Sequence, residues 1–281
     1  MLISSLQNPR VKDLVRLRER HGRDRDQKVL IEGYRELRRA LGAAYPVEQL
    51  YVCPEFFQGV NEGALIEALQ GAGAEVIELT AGVFRKVAYR DRPEGLLGVG
   101  PQVHHSLQDL RLSATAAPLI LVAEAIEKPG NLGTMLRTAD ATGVTALVVC
   151  DPCTDIFNPN VVRASTGNLF TVPLAEADPA ATRAWLRAGR IRILAATPHA
   201  RQRFTDVDLT GPVAIVVGTE QYGLSAGWLE ACDLRVRIPM LGVADSLNVA
   251  TATALLLYEA VRQRLAAGLV ADHEPQEEEA R

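Results

Sequence analysis

The chain has 281 residues, 48% hydrophobic and 23% charged, with 22 Gly and 15 Pro, a globular composition rather than a disordered, fibrous or coiled-coil one. No apolar run approaches the ~18 residues of a membrane span, and charges interrupt the first 25 residues, where a signal peptide needs an apolar stretch. A protein of the cytoplasm is expected. The formal charge of −4 argues at first sight against a nucleic-acid partner, yet it is unevenly spread: residues 271–281 hold five acids against one base, and residues 1–40 hold eleven Lys and Arg against six acids. A basic arm can meet phosphates while the total stays acidic.

In chain order, Asn8-Pro9 opens a helix over 8–20 with Val11, Leu14, Val15 and Leu17 on one stripe. A strand is expected over 28–33, a helix over 34–42, a strand over 47–53, a helix over 62–70, a strand over 74–79, a short helix, and a strand over 95–103. Residues 1–103 thus read as a small α/β domain. Residues 104–117 carry no firm periodicity and read as a linker. A second α/β series follows, with apolar strands at 119–125, 146–150, 169–175, 191–197 and 213–218. Near-continuous apolar strands with helices between them predict a parallel sheet covered on both faces. A last helix over 246–267 is too apolar for a solvated surface and belongs in a core or a subunit interface. The Pro- and Glu-rich end, residues 269–281, reads as a disordered acidic tail.

Four cysteines in a chain of this size do not make a disulfide framework. The pair Cys150-Asp-Pro-Cys153 has zinc or redox spacing, but no histidine lies near it in sequence, and Asp151-Pro152 reads as a turn closing a strand. Two reduced thiols and no metal are expected.

Ligands of open parallel sheets bind beyond the carboxyl ends of the strands. Three loops qualify. The first, Glu127-Lys-Pro-Gly-Asn131-Leu-Gly133, opens a helix over 134–142 that carries Arg137, whose fork of donors suits a phosphate or hydroxyl. The second, Gly218-Thr-Glu220-Gln-Tyr-Gly223, brackets a carboxylate between glycines and is neither G-x-G-x-x-G nor a Walker A loop, which removes the support for a dinucleotide-dependent oxidoreductase. In the third, Ile238 to Asn248, Asp245 or Ser246 is expected to cap the last helix, with Ser246 and Asn248 offering polar groups beside an apolar wall of the kind an adenine-bearing cofactor needs.

Together these loops resemble the SpoU/TrmH family of RNA ribose 2′-O-methyltransferases, part of the SPOUT class. Its first motif, N-x-G-x-x-x-R-T-A-x-x-x-G, stands here as Asn131 to Gly143. Its G-x-E motif stands as Gly218-Thr-Glu220 with Gly223 following, and I-P-M-x-G-x-x-D-S-L-N-V as Ile238 to Val249. Arg163-Ala-Ser165-Thr-Gly167 also resembles a family segment. The stretch KVLIEGYRELRRAL (28–41) is similar to the L30e-like substrate-binding domain that precedes the catalytic domain in members acting on ribosomal RNA.

The resemblance implies an α/β fold: a SPOUT α/β knot over 118–268, a mainly parallel sheet with a deep C-terminal trefoil knot, behind a smaller N-terminal L30e-like domain. It implies a homodimer that uses S-adenosyl-L-methionine, without a metal, to methylate a ribose 2′-hydroxyl of structured RNA, most simply 23S rRNA. Transfer RNA and an antibiotic-resistance role are the alternatives, and a non-catalytic assembly factor would keep the fold and lose the loops. By the same resemblance Arg137, Asn131, Glu220, Ser246 and Asn248 are catalytic. Thr197, Gly218, Glu220, Ile238, Pro239, Met240, Ser246, Leu247 and Asn248 hold the cofactor. Arg10, Lys12, Arg16, Arg35, Arg38, Arg39 and Arg163 meet the RNA.

Overall fold

The computed structural model of the protein describes residues 1–112 and 117–272. A two-residue strand, β1 (Leu2–Ile3), precedes α1 (Pro9–Leu17), which starts where Asn8 and Pro9 predict: the Asn8 side chain accepts from the Arg10 amide at 2.9 Å. The helix does not run on to residue 20. The chain breaks at Arg18 and Glu19 and restarts as α2 (Arg20–Asp26), with Gly22 packed so closely on α1 that a Cβ there would lie 2.2 Å from the Arg16 carbonyl oxygen.

There follow β2 (Lys28–Glu32), α3 (Tyr34–Gly42), β3 (Gln49–Val52), α4 (Glu62–Gly71), β4 (Glu75–Leu79), α5 (Ala81–Val87) and β5 (Leu96–Pro101), each within a few residues of its predicted span. They form a five-stranded sheet of order β1-β4-β3-β5-β2, in which β5 runs antiparallel to both neighbours and the other pairs are parallel. Leu14, Leu17, Tyr51, Ile77, Phe84 and Leu97 lie in its core.

The second series holds β6 (Leu119–Glu124), α6 (Pro129–Ala141), β7 (Ala146–Cys150), α7 (Pro159–Ala164), β8 (Leu174–Ala177), α8 (Pro179–Ala188), β9 (Arg192–Ala196), β10 (Gln202–Arg203), β11 (Val213–Val217), α9 (Ala226–Ala231), β12 (Leu234–Arg237) and α10 (Val249–Ala266). Its sheet has the order β10-β12-β9-β11-β6-β7-β8 with every pair parallel, as the apolar runs predict. β6, β7 and β11 are buried along their whole length.

Four expectations are corrected. The predicted strand over 169–175 is instead a 3-10 turn (Asn168–Phe170) followed by β8: Leu169 is buried without pairing in a sheet, after Gly167 turns at φ +86° with its Cα side against Glu36. The first-loop helix begins at Pro129, not Thr134, so Asn131 and Gly133 sit inside α6. The last helix begins at Val249, and its cap is Asn248 rather than Asp245 or Ser246. Strand β12 was not expected, because only Val236 of its four residues is buried and no apolar run announces it.

The chain separates into two compact units. Unit 1 takes Met1–Val103 together with Asp155–Thr171, and unit 2 takes His104–Thr154 and the described chain from Val172 onward. Helix α7 packs on β2 within unit 1, and the Arg23 guanidinium, 1% exposed, pairs with Asp155 while donating to the carbonyls of Leu17 and Arg18 at 2.9 and 2.8 Å. Cys150 is buried with its sulfur 3.1 Å from the Thr182 hydroxyl; burial pushes its thiol up to about 11, away from reactive thiolate chemistry. No helix among the described residues is long and apolar enough to cross a membrane. The predicted acidic tail lies, from residue 273 on, outside the described residues.

Candidate active site

Strands β12, β9 and β11 are neighbours in the parallel sheet, so their carboxyl ends open side by side. The residues that follow them are Ile238, Thr197 and Gly218, and the Thr197 amide donates to the Val236 carbonyl at 2.9 Å. Three of the predicted cofactor residues, spread over 42 residues of sequence, therefore share one sheet edge. Gly218 is required there by close approach: a Cβ would stand 2.3 Å from the Gly223 carbonyl oxygen. The chain after it closes a tight turn, with Thr219 and Gly223 exchanging two backbone hydrogen bonds of 3.0 Å. Gly223 takes the left-handed φ of +69° that the turn requires.

Helix α10 packs on α6, which brings the first and third loops together. Asn248 caps α10 by accepting from the Ala250 and Thr251 amides at 3.0 and 3.4 Å, and its own amide nitrogen donates to the Asn131 side-chain oxygen at 3.2 Å. The Asn131 amide nitrogen is buried and has no hydrogen-bond partner among the described residues. A buried donor left unmade is costly and marks a place where an acceptor from a ligand would fit.

Arg137 lies six residues further along α6, about 9 Å along the axis, on the exposed stripe Gly130, Thr134, Arg137 and Ala141. It has no ion pair or hydrogen bond among the described residues. Glu220 pairs with Lys128, which ends the loop before α6, and this bond holds the Lys128 ammonium above the ordinary lysine range. Sequence reasoning missed Lys128: its partner stands 92 positions away, and no local pattern links them.

The third loop is open. Pro239, Leu241, Val243, Ser246 and Leu247 are exposed and Ile238 and Met240 half-buried, with Leu241 at 99%. Leu255, Tyr258 and Leu265 of α10 are also exposed. Apolar side chains exposed in such number suit a surface that another molecule covers.

The predicted RNA contacts lie in unit 1, and they differ in what remains free. Arg10 pairs with Glu75 at 2.9 Å, Arg16 with Asp13, and Arg39 donates to the carbonyl and hydroxyl of Thr166. Arg38 stacks over the Tyr34 ring, and Lys12, Arg35 and Arg163 are exposed with no ion pair among the described residues.

Residues 118–258 match the SpoU rRNA Methylase family, and residues 8–98 match the MRM3-like substrate binding domain. The chain is 30% identical over 256 residues to the 23S rRNA (guanosine(2553)-2′-O)-methyltransferase RlmP of Bacillus subtilis, covering 91% of this chain and 97% of that protein. It is similar to a solved RNA 2′-O ribose methyltransferase with a TM-score of 0.83 and 43% identity, over 94% of this chain and 100% of that one. It is also similar to the SpoU methyltransferase AviRb from Streptomyces viridochromogenes in complex with AdoMet, with a TM-score of 0.82 and 30% identity over 92% of this chain and 100% of that one.

Proposed function

Because the chain belongs to the SpoU rRNA methylase family, we propose that it transfers a methyl group from S-adenosylmethionine to a ribose 2′-hydroxyl of 23S rRNA. The observation that carries the reading is the joining of Asn248 to Asn131 on the helix that also presents Arg137, exposed and unpaired among the described residues. The residues fit the cofactor. A buried side-chain amide nitrogen without a partner among the described residues, three adjacent strand ends, and the apolar side chains of the third loop suit an adenosine with an amino-acid tail. Thr197, Gly218, Ile238, Pro239, Met240 and Leu247 would hold it, the backbone of Gly218, Ile238 and Leu247 making the polar contacts.

When bound, the cofactor supplies a methyl group already activated on a sulfonium. The protein's part is alignment and disposal of one proton. A guanidinium keeps its proton and is a poor base, so Arg137 holds the 2′-hydroxyl and an adjacent phosphate oxygen, and the phosphate or solvent takes the proton. Asn131 and Ser246 position the ribose or Arg137. Glu220, held by Lys128, orients neighbouring groups, and Asn248 fixes the third loop to α6.

The remaining parts of the reading rest on the family. Residues 1–103 form the L30e-like substrate domain, 104–117 a linker and 118–268 the catalytic domain with its trefoil knot, in a protein of the cytoplasm. The exposed Leu241, Val243, Leu255, Tyr258 and Leu265 form a homodimer surface. Lys12, Arg35, Arg38 and Arg163, which have no ion pair among the described residues, are the first RNA contacts, with Arg10, Arg16 and Arg39 behind them. The test is incubation with methyl-labelled AdoMet and a 23S rRNA transcript. Label is expected at a ribose that then resists alkaline cleavage; label on a base, or none, overturns the reading.

A further inference from the structure

We propose that Tyr222 is a stacking platform for a base of the substrate RNA next to the modified nucleotide, an inference that rests on the RNA methyltransferase reading above. Tyr222 is the most exposed aromatic residue among the described ones, at 78%. It is not on a loose loop. The turn that carries it is closed by the paired Thr219 and Gly223, and the Tyr222 amide itself donates to the Thr219 hydroxyl at 2.9 Å. The backbone that presents the ring is therefore fixed before any ligand arrives, which removes most of the ordering cost of binding.

The turn springs from the carboxyl end of β11, at the sheet edge where Thr197, Gly218 and Ile238 meet. Two residues before the ring stands Glu220, paired with Lys128. Tyr222 has no ring contact, ion pair or side-chain hydrogen bond among the described residues, so nothing in the fold needs it. Its surroundings also indicate its partner. Its neighbours in the turn, Glu220 and Gln221, are exposed and polar, and Glu220 is paired with the exposed Lys128. The apolar pair Leu241 and Val243 is the kind of surface a second protein chain covers, whereas a lone exposed phenol among polar neighbours suits a base.

The test compares wild type with Tyr222→Ala, Tyr222→Phe and Tyr222→Trp, using the full chain, AdoMet and a 23S rRNA transcript. Loss of a stacked base is expected to raise KM for RNA about tenfold in Tyr222→Ala, with AdoMet affinity within about twofold of wild type. The Phe and Trp variants should stay within about threefold of wild type, since stacking needs the ring and not the hydroxyl. In the Trp variant, the emission added to that of Trp185 and Trp228 should be quenched by RNA and not by AdoMet. An unchanged KM in Tyr222→Ala, quenching by AdoMet alone, or a Tyr222→Ala protein that sediments as a smaller species than wild type overturns the proposal. The quench needs no turnover: a protein that fails to methylate this RNA but is quenched by it sinks the methyl-transfer reading and keeps the stacking one.

Discussion

Unit 1 and unit 2 spend their charged side chains differently. In unit 1 the buried charges are consumed by the fold: Arg23 pairs with Asp155, Arg90 with Glu36 at 2.6 Å and with Glu94, and Glu32 accepts from the amides of Tyr89 and Arg90. Unit 2 also satisfies its buried charges. Arg264 donates to the carbonyls of Ala117, Leu209 and Gly211, and Glu124 accepts from the Ser225 amide at 2.9 Å. On α6, however, it leaves Arg137 and the side-chain amide nitrogen of Asn131 without partners among the described residues. A charge already neutralised inside a fold has little left for a ligand, while an exposed unpaired one is available. The contrast separates structural electrostatics from functional electrostatics by bonding rather than by residue type.

The sharpest test of that contrast is Arg137→Ala. Methyl transfer is expected to fall by about 100-fold or more, with the thermal midpoint and calorimetric AdoMet affinity unchanged, because the side chain supports nothing in the fold. Near-normal turnover would break the distinction on the unit 2 side. Asp155→Ala tests the other side. It strands a buried guanidinium, and about 3–5 kcal/mol of stability should be lost, read from the urea midpoint, whereas AdoMet affinity at low denaturant should hold. A loss below about 1 kcal/mol would mean that water reaches Arg23.

Asn248→Ala stands between the two classes, since the residue caps α10 and also bonds Asn131. A cost of about 1 kcal/mol is expected from the cap, accompanied by weaker AdoMet binding. A stability loss without any change in binding would assign Asn248 to the fold alone.

The smallest effect is a pH dependence. Burial raises the Glu32 and Glu36 carboxyls above the ordinary glutamate range. Below the unfolded-state value, near 4.5, Glu32 is protonated in both states. As pH rises, the unfolded chain releases its proton first, so this contribution to stability declines until the raised folded value is passed. Glu32→Gln keeps an oxygen acceptor without the titration. The melting temperature of the variant should therefore gain on wild type between about pH 4.5 and pH 8, the span from that reference value to well above it. A gain in the opposite direction would show that Arg90 more than offsets the burial.

The alternation of helix and strand was legible over residues 28–101, because each element carries its own apolar stripe, and Asn8 and Pro9 marked the start of α1, whereas the break that separates α2 from it was not legible. In unit 2 the buried central strands were equally plain. The misreadings share a cause. Leu169 is apolar because a turn packs it in unit 1, not because a strand needs it, and β12 is polar because most of it lies near the sheet edge.

By itself, the sequence determined the apolar periodicity, the all-parallel character of the second sheet and the loops that carry the candidate site residues, since those depend on spacing along a few turns or strands. The tertiary structure decided what depends on chain segments far apart. It joined Asn248 to Asn131 and Lys128 to Glu220, chose Asn248 as the cap of α10, and folded residues 155–171 into the unit built by the first 103. Local chemistry sets which elements form, but a hydrogen bond between residues about a hundred positions apart exists only once packing has brought them together.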